Sequence, residues 1–413
     1  MTRPRPTHDR PDPTRRGGFT LVELLMVIAI LGLLIALLLP AINSAVRTSR
    51  KAAIGAEINT LAQGLNAFKA QYGDYPPSRV YLAENGDFGS AQAIQIAPGD
   101  ITFAQLSQRT VSYLRRFFPR AVLNTSGGNV WGALGSSPKV WYDFNGNGVM
   151  DPPYILEGHE CLVFFLGGIP LNNGTSFSMT GFGKDPTNPF TNNGGVINSS
   201  DNRTSPMFEF AANRLVLDPL QIRRYQGDVP HYQAVAWNSP AYVDNSGNAI
   251  NDVASAQINF YAYFSAYGKG GYDPNDVNFQ LAISSNEVYG EKDANLAIPI
   301  QKFRVAYPIP TTAITGVANV AASAPPNPYT SSSTVPATGT AVQAPTFLNP
   351  QSFQIISSGP DGQYGLGGIY LPDSTGATVL PLDPNAATIG TSDTSIRTRE
   401  RDNVTNFHNG SLD

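Results

Sequence analysis

The chain has 413 residues, a formal net charge of −4 and only 14% charged residues, against roughly a quarter in an ordinary soluble domain. That balance builds no broad basic surface, so nucleic acid is not an expected partner, while 10% aromatic residues leave enough for a packed core. The single cysteine, Cys161, excludes an intrachain disulfide framework and a thiolate-rich zinc site.

Residues 1–18 (MTRPRPTHDRPDPTRRGG) hold five arginines and no large apolar side chain, and they read as a leader peptide. From Leu24 to Val46 there are 23 residues without a charge. As a helix at 1.5 Å per residue they span about 35 Å, enough for a hydrocarbon core of about 30 Å. The upstream arginines place the N-terminus in the cytoplasm. The small residues Gly17 and Gly18 precede the apolar run instead of following it. Cleavage after Gly18 therefore keeps the helix and makes Phe19 the new N-terminus, with Glu23 as its fifth residue. A carboxylate at the edge of an apolar span is costly and calls for a partner. The free amine of a neighbouring subunit's Phe19 is a suitable one.

Arg15-Arg16-Gly17-Gly18-Phe19-Thr20-Leu21-Val22-Glu23 resembles the class III signal of type IV pilins and type II secretion pseudopilins. The resemblance implies cleavage between Gly18 and Phe19 by a prepilin peptidase and methylation of Phe19. It also implies that Glu23 guides docking into a helical filament on an inner-membrane assembly platform, and that Pro40 marks a kink. The segment AEINTLAQGLNAFKAQYGDYPPS resembles the stalk of the major pseudopilin.

Beyond the membrane, Ile54, Ile58, Leu61, Leu65, Phe68 and Tyr72 recur in steps of four and three, one apolar stripe on a continuing helix. Gly73 and Pro76-Pro77 stop it. The expected organisation is thus a leader (1–18), a transmembrane helix half (19–46), an amphipathic half (47–75) and a head (79–413). In the head, Thr102–Phe118 has helical spacing, with Arg115, Arg116 and Arg120 as a solvated basic cluster. Residues 160–171 form a buried helical turn or strand, which periodicity does not separate. Cys161 beside His159 reads as a small core residue, with a nucleophile as the sharper alternative. Strands are expected at Met207–Phe210, Arg214–Leu217, Tyr232–Trp237, Gln257–Phe264 and Phe353–Ser357. The Gln257–Phe264 strand alternates as if half-buried. Residues 308–350, rich in Pro, Ala, Thr and Ser, read as a linker. The fold class is α+β, a pilin-like long helix packed on an antiparallel sheet with large loop insertions.

Two loops are candidates for Ca²⁺. Asp143, Asn145, Asn147 and Asp151 occupy positions 1, 3, 5 and 9 of an EF-hand-like loop with Gly148 at the turn. Tyr154 stands at position 12 instead of the bidentate Glu, and two ligand positions carry Asn, so affinity would be weak unless another segment contributes. The second loop, Ser357-Ser358-Gly359-Pro360-Asp361-Gly362, resembles the C-terminal loop of the major pseudopilin. The resemblance implies Asp361 and Asp402 as calcium ligands with the Ser358 carbonyl as a third. Both segments also read as ordinary Asx or Pro-Gly turns.

No P-loop, GxSxG, HExxH or CxxC pattern occurs in the chain. The expectation is a non-enzymatic subunit of a type II secretion pseudopilus that promotes protein export. Its partners are the peptidase, homologous subunits, the assembly platform and membrane lipid. It is a single-pass protein of the inner membrane, with its head periplasmic or on the cell surface. The alternatives are a type IV pilus subunit or an adhesin-like binding module on a pilin stalk, marked by an exposed aromatic groove that the tyrosines of 258–264 would supply. A membrane-anchored enzyme ranks last.

Overall fold

The computed structural model describes residues 20–91, 93, 101–128, 130, 141–190, 202–217, 239–244, 260–267, 271–273, 276–277, 327–331, 346–360, 367–370, 401–408, 410 and 412. The chain divides into two compact units, Met1–Ser49 and Arg50–Asp413. Helix α1 (Leu21–Tyr72) contributes to both.

In the first unit the helix is apolar on every side, and among the described residues nothing covers it. Leu21 is 77% exposed and Leu37 69%. A helix apolar all round belongs in lipid or against other apolar helices. Pro40 lies inside α1 without ending it.

The second unit begins with the amphipathic part of α1. Ile54, Ile58, Leu61, Leu65 and Phe68 are buried, as the stripe predicts. Residues 50–72 are therefore part of the head's own core, and the compact unit starts at Arg50 instead of residue 79. β1 (Val80–Leu82) pairs antiparallel with β2 (Tyr154–Leu156). α2 (Phe103–Phe117) is held at its start by a reciprocal capping box between Thr102 and Gln105. α3 (Gly158–Gly167) resolves the helix-or-strand ambiguity: it is a helix, buried along its whole length. β3 (Pro170–Asn172) and β4 (Phe177–Met179) form a hairpin. β5 (Leu215–Leu217) pairs with β6 (Pro240–Tyr242).

The central element is a four-stranded antiparallel sheet. Its strands are β7 (Ala262–Tyr267), β8 (Gly271–Tyr272), β10 (Phe353–Ser357) and β12 (Val404–Thr405), in the order β12-β10-β7-β8. Alternation along β7 and β10 sends successive side chains to two separate clusters. Tyr261, Tyr263, Phe353 and Ile355 join the cluster containing the α1 stripe. Phe260, Ala262, Phe264 and Ile356 join a second cluster with Tyr329 and Tyr370. Of the strand expected to be half-buried, residues 257–259 lie outside the described residues and 260–264 are buried on both faces.

Two more expectations change. Residues 207–210 form no strand; Phe208 and Phe210 instead pack edge-on against Tyr242, with ring centroids 5.8 and 5.0 Å away. Within the stretch read as a linker, Asn327–Thr330 forms β9, paired in parallel with β11 (Gly367–Ile369). The fully buried ring of Tyr329 holds that segment to the core. The strand expected at 232–237 lies outside the described residues.

Candidate functional site

The N-terminal end of α1 is the first site. Gly18 and Phe19 lie outside the described residues. Glu23 Oε2 accepts from the Thr20 N–H and the Thr20 hydroxyl, each at 2.8 Å. The Glu23 N–H in turn donates to Thr20 Oγ1 at 3.3 Å. This is a capping box at the positive end of the helix dipole. Glu23 thus has partners within its own chain, which the reading of an unpartnered acid missed. Those partners are neutral, so the carboxylate's charge still favours an incoming cation.

The second site is the loop 143–151. Asp143 accepts from the Asn147 and Gly148 N–H groups at 3.2 and 3.0 Å. Asp151 Oδ2 receives the amides of Asn145 and Asn147 at 2.6 and 2.7 Å. Gly146 and Gly148 take φ of +68° and +75°, the left-handed conformation that glycine adopts without a Cβ penalty. All four predicted residues are therefore brought together. The residue that sequence reasoning missed is Glu84, just after β1. Its carboxylate accepts from the Asp151 N–H at 2.7 Å and from the Tyr154 hydroxyl at 3.1 Å. Tyr154, the side chain at the failed twelfth position, binds the acid that reaches the loop from elsewhere. The available signal was an acid directly after an apolar strand, in VYLAE.

Burial, then the negative charges of Asp151 and Asp143, pushes the Glu84 carboxyl well above its ordinary value. Burial also raises Asp143, to about 6, and Asp151. Asp143, Asp151, Glu84, Asn145 and Asn147 carry oxygens of the hard type that calcium takes. Either amide presents oxygen in place of nitrogen by a half-turn. Among the described residues no three His, Cys, Asp or Glu side chains are placed together as a ready metal group.

The third site is the C-terminal loop. Asp361 lies outside the described residues. The register Ile356↔Thr405 and Ser357↔Val404 puts Ser358 across from Asn403 and Gly359 across from Asp402. The Asp402 carboxylate pairs with Lys51 of α1 at 3.1 Å. Ser357 donates its hydroxyl to the buried Asp244 carboxylate, a residue not singled out from sequence. Among the described residues, Ser358 Oγ, Asn403 Oδ1 and Thr405 Oγ1 are buried without a hydrogen-bond partner.

The remaining candidates are structural. Cys161 is buried, and burial drives its thiol well above the ordinary value, away from the reactive thiolate. Arg116 pairs with Asp74 at the surface. Tyr261 and Tyr263 are fully buried and supply no exposed groove.

The described helix Leu21–Tyr72 is long and apolar enough to cross a membrane, and the head is a helix packed on an antiparallel sheet. Together they form a pilin-like fold whose one long apolar helix among the described residues fits a membrane anchor. Residues 13–39 match the model of the prokaryotic N-terminal methylation motif. A 120-residue stretch is 32% identical to the type IV wide pilus major component PilA4 of Thermus thermophilus, covering 28% of this chain and 77% of that protein. No solved structure matches the chain. The chain belongs to the type IV pilin family.

Proposed function

We propose that the protein is a structural, non-enzymatic filament subunit, assembled through α1 after processing at Gly18 and Phe19, and that it serves a type II secretion pseudopilus. The observation that carries the assembly role is the bare apolar surface of residues 21–46, with one carboxylate, Glu23, at its N-terminal end. Outside lipid that surface is stable only against other apolar helices, which neighbouring subunits of a filament would supply. The secretion branch is supported by the Tyr-Gly-Asp-Tyr-Pro sequence at the end of α1 and by the Ser-Ser-Gly-Pro-Asp-Gly sequence that begins at Ser357. The similarity to a pilus component supports the second reading, a pilus subunit. The head would lie on the periplasmic or outer side. Quantitative proteomics of the culture medium, comparing wild type with Glu23→Ala, separates the two. Loss of a defined set of exported proteins supports the pseudopilus, and an unchanged medium with fewer sheared surface fibres supports the pilus.

Calcium belongs to this proposal as a structural ion of the head. Asp143, Asn145, Asn147, Asp151 and Glu84 would hold it in the first loop. There it would offset the mutual repulsion of three buried carboxylates. In the C-terminal loop the ligands carried over are Asp361, Asp402 and the Ser358 carbonyl. The Lys51 ion pair competes for Asp402, so the first loop is the better supported of the two.

A further inference from the structure

We draw no further inference here: the strongest candidate, an aromatic cleft of about 250 Å³ at the C-terminal ends of α1 and α2 lined by Tyr72, Phe117, Phe118 and Phe182 with Arg120 and Asp185, is an apolar groove for which nothing in the structure shows what covers it.

Discussion

Glu57 of α1 and Arg214 beside β5 form a two-pronged ion pair, Nη1 to Oε1 at 2.6 Å and Nη2 to Oε2 at 2.8 Å. The hydroxyls of Tyr242 and Tyr261 donate to the same carboxylate at 2.9 and 2.5 Å. The guanidinium also lies over the Tyr242 ring, 4.2 Å from its centroid. The stripe of α1 explains why the helix packs on the head. This pair explains why it packs in one register: sliding α1 by a turn leaves both charges largely buried and unpaired.

Glu57→Gln is therefore expected to destabilise the 50–413 unit by roughly 3 kcal/mol, the low end for breaking a buried pair. Burial alone raises the Glu57 carboxyl, but Arg214 and the two tyrosine hydroxyls outweigh it and hold the group below its ordinary 4.5. A lowered acid stabilises above its unfolded pKa, and that contribution is lost as pH falls through the folded one. Denaturant melts across acidic pH check this: the gap between wild type and variant should close toward low pH. A gap that stays constant contradicts it.

Calcium should raise the melting temperature of the detergent-solubilised full chain relative to chelator. Glu84→Gln removes a buried carboxyl whose ionisation burial and the charges of Asp151 and Asp143 oppose. It should raise the melting temperature in chelator and weaken the response to calcium. Asp402→Asn should leave the response of the first loop intact. Identical curves with and without calcium in the wild type remove the ion from the proposed function.

Gly359 sits at φ +67°, and a Cβ there would collide with the Asp402 carbonyl oxygen. Gly359→Ala should cost at least about 1–2 kcal/mol from the left-handed conformation alone, before the clash is counted. Hydrogen exchange should report the loss locally, with faster exchange at Val404 and Thr405 of β12. Uniform loosening of the whole head, with β12 no worse than the rest, contradicts the placement.

The elements legible in the sequence were those built from local periodicity. The 4–3 spacing of Ile54 to Phe68 placed α1. The helical spacing over Thr102–Phe118 placed α2, and the strand pattern at Phe353–Ser357 placed β10. What stayed hidden depended on partners distant in sequence. Glu84 joins the Asp151 loop from 67 residues away. Tyr261 and Tyr263 look like an exposed face until Glu57 and the Pro76 carbonyl are seen to take their hydroxyls. Tyr329 lies in a Pro- and Ser-rich stretch whose composition resembles a linker, and one buried ring overrides that composition. At Met207–Phe210 the alternating aromatics satisfied a strand pattern, yet the backbone there found no ladder.

The most direct test of the assembly role is the state of the mature protein in its own membrane, read by sedimentation of gently extracted complexes and electron microscopy of sheared material. Wild-type protein should appear in filaments or their fragments. Glu23→Ala should be processed and inserted normally yet remain as dispersed subunits. Filaments of equal yield from the Glu23→Ala protein would contradict assembly through α1 and Glu23.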